Sequence, residues 1–159
     1  SFSTKKLGEE IVPVAKLSDH KQDAILHNYY TIKLLERLLQ RISTETGLSS
    51  NELIVIHYLS CFQHSNITKD MALFTDINQF LLLPLLEKLV FNEYVTKVTS
   101  EDSETYYSLT SKAEPITRQL NQLTQDFDSI RFAGIDSSTQ KLLQTTEETI
   151  YENIRKKLL

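Results

Sequence analysis

The stretch TDINQFLLLPLLEKLVFNEYV, residues 75–95, decides how this chain is read. Thr75 or Asp76 can cap a helix at its start, and its end reads as a turn into a strand. Between them run Phe80, Leu81, Leu82, Leu83, Pro84, Leu85 and Leu86. A helix resting on a core needs one apolar stripe with polar residues opposite, yet here nearly every side is apolar. Two outcomes are open. Either the helix is buried more fully than usual, under the N-terminal segment or a second subunit, or Phe80, Leu81, Leu83 and Pro84 form an exposed protein-contact patch.

Working outward, the apolar residues Ile25, Leu26, Tyr29, Tyr30, Ile32, Leu34, Leu35, Leu38, Leu39 and Ile42 recur at three- and four-residue spacing. That period predicts a long helix from Asp23 to about Glu45, stopped by Gly47. Residues 1–23 have no such period, and Pro13 interrupts their apolar run, so they read as a loop or an arm. Ser49 or Ser50, with Glu52 in the first turn, opens a second helix lasting to about Gln63. Asn66 or Thr68 caps a short helix through Leu73, and the helix of the opening stretch follows. After Asn92 the period changes: EYVTKVTS and TYYSLT are β-branched and aromatic, and flank an acidic SEDSE tip. They predict a two-stranded hairpin with one of Tyr106 and Tyr107 packed inward and the other facing solvent. A long helix follows, with Thr110 as cap and Pro115 near its first turn. Asp136 or Ser137 caps the last one, which ends in Arg155, Lys156 and Lys157. The fold class is mainly α with a small β-hairpin wing: a winged helix-turn-helix with flanking dimerisation helices.

With 159 residues, 40% of them apolar and 24% charged, the chain suits one soluble globular domain. Three glycines and three prolines argue against a turn-rich all-β fold. No apolar run approaches the roughly 20 residues of a membrane span, so no membrane partner is expected. No secretory signal is visible, and a cytoplasmic location is expected. Cys61 is the only cysteine, which excludes an internal disulfide.

The order of elements resembles the MarR family of bacterial transcription regulators, over residues 24 to 155. LPLLEKLVFNEYV (83–95) followed by SLTSKAEPI (108–116) is similar to the family's recognition-helix end, first wing strand and entry to the next long helix. The Pro-Leu-Leu step resembles the branch of organic-hydroperoxide and thiol-based sensors, and GIDSSTQKLLQTTEETIYENI resembles the usual last helix. The resemblance implies one MarR-like domain over 1–159, with dimerisation helices at 24–47 and 111–159 and a winged lobe at 50–110. It further implies a homodimer whose recognition helix enters the major groove of double-stranded DNA and whose wing reaches the minor groove. Lys69, Asn78, Gln79, Lys88, Thr96 and Lys97 are the residues placed to contact DNA. A small-molecule effector or cysteine oxidation would release it. The branch's sensing cysteine lies early in the first long helix, where this chain reads DAILHNYYTI.

Charge sets this chain apart from that pattern. Residues 67–110 carry three lysines, Lys69, Lys88 and Lys97, against seven carboxylates. The flanking segments are each neutral, so the whole net charge of −4 lies on the lobe expected to meet phosphate. The family's wing has Asp-x-Arg where this one has Asp102-Ser103-Glu104. Its recognition helix has small or hydroxyl residues at Phe80, Leu81 and Leu83, and a base at Glu87. The alternative function is therefore a winged-helix protein that has lost DNA reading and works as a protein-interaction or small-ligand module.

His57 and Cys61 lie four apart on one helix face. Two ligands are too few for a closed metal site, so no metal or cofactor is expected. The ordinary expectation is a satisfied core histidine and a small buried thiol. His27 and Tyr30, with His57 and Cys61, could line a ligand pocket, although aromatic residues at helical spacing more often pack as core. No Gly-rich phosphate loop or strained serine elbow is present, and an enzyme is not expected.

Overall fold

Helices stand where the three- and four-residue period puts them. The computed structural model describes residues 2–7, 10–15, 21–63, 66, 71–73, 77 and 79–159, with 2–15 and 79 as backbone. The chain divides into two units, Ser1–Arg37 and Leu38–Leu159.

The first unit corrects the expectation of a loop or arm. Strands β1 (Phe2–Leu7) and β2 (Glu10–Ala15) form an antiparallel hairpin, with Phe2 opposite Ala15 and Leu7 opposite Glu10. Ile11, Val12 and Val14 favour extended backbone. Pro13 is tolerated because each strand of a two-stranded sheet has a free edge. Helix α1 (Ala24–Thr46) begins here, its first turn capped by Asp23, whose Oδ1 accepts from Leu26 N at 2.9 Å.

In the second unit the end of α1 supplies Leu39 and Ile42 to the core and stops at Gly47, whose φ is +75°. Helix α2 (Ser50–Cys61) starts on a reciprocal cap. Ser49 Oγ accepts from Glu52 N at 3.1 Å, and Glu52 Oε1 accepts from Ser49 N at 3.4 Å. Leu53, Val55, Ile56 and Leu59 of α2 are fully buried. Residues 71–73 are helical; the caps expected at Thr68, Thr75 and Asp76 lie outside the described residues. Helix α3 (Gln79–Phe91) turns Leu82, Leu86 and Leu89 into the core.

The period-two segments form β3 (Val95–Thr99) and β4 (Thr105–Leu109), paired from Val95↔Leu109 to Thr99↔Thr105. Tyr107 is buried and Tyr106 half-buried, as a strand's alternation requires. Thr110 does not cap the next helix with its side chain. A 3-10 turn (Ser111–Ala113) intervenes, and the Thr110 hydroxyl donates to Glu93 O at 2.5 Å. Helix α4 (Glu114–Arg131) buries Ile116, Leu120 and Leu123 and packs on α2. Helix α5 (Ser137–Leu158) buries no residue at all.

Asp136 caps α5. Its carboxylate accepts from Thr139 N at 2.8 Å, and from the hydroxyls of Ser138 at 2.8 Å and Thr139 at 2.9 Å. The backbone bond from Thr139, then the hydroxyls of Ser138 and Thr139, lower its pKa from 3.8 to about 2. A depressed carboxylate pKa stabilises the folded state above the unfolded value, and that contribution disappears as pH falls through the folded one. Asp136→Asn keeps a capping side chain without the titration. The stability difference between wild type and this variant should therefore be constant above about pH 5 and narrow steadily below pH 4, toward about 2. Thermal melts across that range check it, and a difference independent of pH would exclude the cap's role.

Candidate nucleic-acid interface

At about 100° per residue, Phe80, Pro84 and Phe91 fall opposite the buried Leu82, Leu86 and Leu89. Phe80 is 87% exposed, Phe91 86%, Leu81 65% and Leu83 45%. Pro84 is exposed as well. The helix thus has an ordinary inward stripe, and its remaining apolar residues face outward. Phe91 was missing from the sequence-derived patch, though its eleven-residue offset from Phe80 returns it to the same side of the helix.

Two lysines expected to meet phosphate are instead held by carboxylates. Lys88 Nζ donates to Glu52 Oε1 at 3.1 Å, so the buried Glu52 both caps α2 and ties α3 to it. Lys97 Nζ reaches both carboxylate oxygens of Glu87 at 3.0 Å, bracing the wing against α3. Tyr107 lies beside this pair. Burial raises its pKa, and the charge of Glu87 raises it further. Thr96 is exposed, its hydroxyl donating to Ser108 O at 3.4 Å. Lys69, Asn78 and the side chain of Gln79 lie outside the described residues.

One cation missed by sequence reasoning joins this region. Lys112, just after β4, donates to Asn92 O at 2.7 Å and stands 4.5 Å from the centre of the Tyr94 ring. Lys97 and Lys112, with Thr96, Thr110, Ser111 and the carboxylate of Glu93, line a shallow recess of about 570 Å³ at the base of the wing. Its hydroxyls and ammonium groups suit a phosphate oxygen, and Glu93 works against one.

The wing tip is acidic. Asp102 accepts from the Ser100 hydroxyl and from Glu104 N, closing the turn, with Ser103 at φ +66°. These bonds hold the Asp102 carboxyl below its usual pKa, the Ser100 hydroxyl contributing most. Glu104 accepts from Tyr106 OH at 2.7 Å, and this bond raises the pKa of the phenol.

The expected ligand pocket fares differently. Cys61 is exposed rather than a small buried thiol, because it ends α2. Its Sγ lies 3.7 Å from His57 Nε2, while the buried His57 Nδ1 has no hydrogen-bond partner among the described residues. Desolvation lowers the His57 pKa. The histidine is therefore not fully satisfied, contrary to expectation. His27 and Tyr30 are exposed on α1. A separate apolar cleft of about 500 Å³ lies between the end of α2 and the end of α5. Its walls include Tyr58, Phe62, Leu73, Tyr151, Ile154 and Arg155. Among the described residues, no helix is long and apolar enough to cross a membrane.

No family profile and no curated protein sequence matches this chain. Solved structures do. A MarR-family transcriptional regulator from Silicibacter pomeroyi is 18% identical, with 88% of this chain and 97% of that one aligned at a TM-score of 0.73. A Listeria monocytogenes MarR-family protein solved with a 26mer DNA is 12% identical, at 86% and 92% coverage and a TM-score of 0.73. A Mycobacterium tuberculosis MarR-family protein in complex with p-aminosalicylic acid is 14% identical, at 80% and 97% coverage and a TM-score of 0.62.

Proposed function

We propose that this chain, which has the winged-helix fold of the MarR-type regulators, is a cytoplasmic, homodimeric transcription regulator that binds double-stranded DNA. Residues 50–110 form the reading lobe. The helices at 24–47 and 111–159 pair the two copies, and α5, with no buried residue of its own, is the natural partner for a second chain. One observation supports the DNA reading above the others. The outward residues of α3 and Thr96–Thr99 of the wing are exposed, in a fold shared over 86% of the chain with a protein solved on DNA. Lys97 and Lys112 with their neighbouring hydroxyls seat backbone phosphate at the base of the wing.

Lys88 and Lys97 must exchange a carboxylate for a phosphate to contribute, so binding is weak and its salt dependence shallow. Each phosphate contact adds about −0.9 to the slope of log K against log salt. The apolar cleft at the end of α5 takes a small effector, with Tyr58, Tyr151 and Arg155 supplying its polar contacts.

Fluorescence anisotropy of labelled duplex from the region upstream of the protein's own gene, at low salt, tests this. Micromolar binding that exceeds binding to a random duplex is expected. No binding at micromolar protein would remove DNA from the proposal.

A further inference from the structure

We propose that the outward face of α3 docks a protein segment of defined chemistry, a basic amphipathic helix with apolar anchors along one side. This goes beyond DNA binding and occupies the same surface, so the two partners exclude one another.

The apolar part of the face cannot serve phosphate. Phe80 and Phe91 are 87% and 86% exposed, and an aromatic side chain offers on the order of 150–250 Å². The two phenylalanines alone present roughly 300 Å², a size at which surface patches on monomers are often functional. Leu81, Leu83 and Pro84 extend the patch over the first turns of α3. From Phe80 to Phe91 the row runs about 16 Å at 1.5 Å per residue. That length accommodates three turns of a partner helix, with anchors at i, i+3 or i+4, and i+7.

Charge selects the partner. Residues 67–110 hold three lysines against seven carboxylates. Among the described residues, Lys88 and Lys97 are already paired with Glu52 and Glu87. Glu101, Asp102 and Glu104 at the wing tip are exposed, and none of them has a cation partner among the described residues. An apolar strip on a lobe with four more carboxylates than lysines favours lysine and arginine flanks on whatever covers it. The same negative field opposes an anionic membrane and a second copy of this lobe, and it keeps the binding of DNA weak.

The probe is a fluorescein-labelled peptide of roughly 14 residues, leucine on one helical side and lysine on the other. Two controls accompany it: a leucine–glutamate counterpart, and a scramble of the same leucines and lysines that has no apolar side. At near-physiological salt the amphipathic lysine peptide is expected to bind the full chain at micromolar concentration, with both controls at least about tenfold weaker. The double variant Phe80→Ser, Leu83→Ser should lose about tenfold in affinity without a change in melting temperature. Phe80→Ser alone, at the more exposed position, gives a smaller loss and serves if the double variant unfolds. Equal binding of the glutamate peptide or of the scramble would overturn the proposal, as would serine variants that bind normally. Titrating the same variants with duplex DNA separates the two readings. Serine variants that lose DNA affinity while wild type ignores the peptide would make this a DNA face alone.

Discussion

Glu87→Lys is expected to raise affinity for duplex DNA by about tenfold to a hundredfold at low salt. The geometry sets both sign and size. Glu87 holds the Lys97 ammonium with both carboxylate oxygens, 3.0 Å away. It does so on the side of α3 that faces the wing, where the resemblance places a basic residue. Replacing it frees Lys97 and adds a second cation within the span of one phosphate. Two contacts would steepen the log–log salt slope by about 1.8, at 0.9 per contact. At about 50 mM salt each such contact is worth roughly a factor of ten relative to 1 M. Glu87→Gln frees Lys97 alone and should give about half the change in slope. Stability should hardly move, because both partners of the pair are nearly half exposed, and such pairs contribute about 0–1 kcal/mol. Anisotropy titrations over a range of salt, for all three proteins, are the measurement. Wild type and both variants sharing one affinity and one slope would mean that α3 and the wing do not touch phosphate.

The opening stretch shows how much of this was legible. Once a helix is granted, Phe80, Leu81, Leu83 and Pro84 can be named from the sequence as the candidate outward set, and they are exposed. Whether they stand exposed or lie under a cover could not be read, because every phase of that run is apolar. Only the core contributed by α2 and β3 fixes the phase. The charge deficit of the winged lobe was countable in advance. The pairings Lys88–Glu52 and Lys97–Glu87 were not, since their partners lie 36 and 10 residues apart and meet only through packing. Lys112 escaped notice for the same reason: it lies outside the lobe in sequence and returns to it over Tyr94. The N-terminal hairpin was misread because Pro13 signals a break, and two-stranded edges tolerate what larger sheets reject. Cys61 was expected inside on residue type, yet its place on the last turn of α2 exposes it.

Helix α5 carries the other large effect. It runs 22 residues without one buried side chain, yet Ile150, Tyr151, Ile154 and Leu158 share a stripe and are each 49–61% exposed. The Asp136 cap and the basic last turn do not by themselves hold such a helix, since most helical stability comes from packing an amphipathic face. In the proposed two-fold dimer a second copy of the chain would supply that packing, and the same substitution would act twice. Burying the exposed half of one isoleucine is worth about 0.8–1.5 kcal/mol, and a carboxylate in its place adds a desolvation cost. Ile154→Glu should therefore weaken self-association by at least about tenfold, two losses of about 0.8 kcal/mol at tenfold per 1.4 kcal/mol. Helix content should persist, because Ile154 is 54% exposed within its own chain. DNA affinity should fall with dimerisation, since in the proposed dimer one lobe would grip one half-site. Sedimentation velocity across a concentration series, with circular dichroism alongside, measures both. A wild-type chain that sediments as a monomer at tens of micromolar, or a variant that still dimerises with unchanged affinity, would exclude α5 as the joining surface.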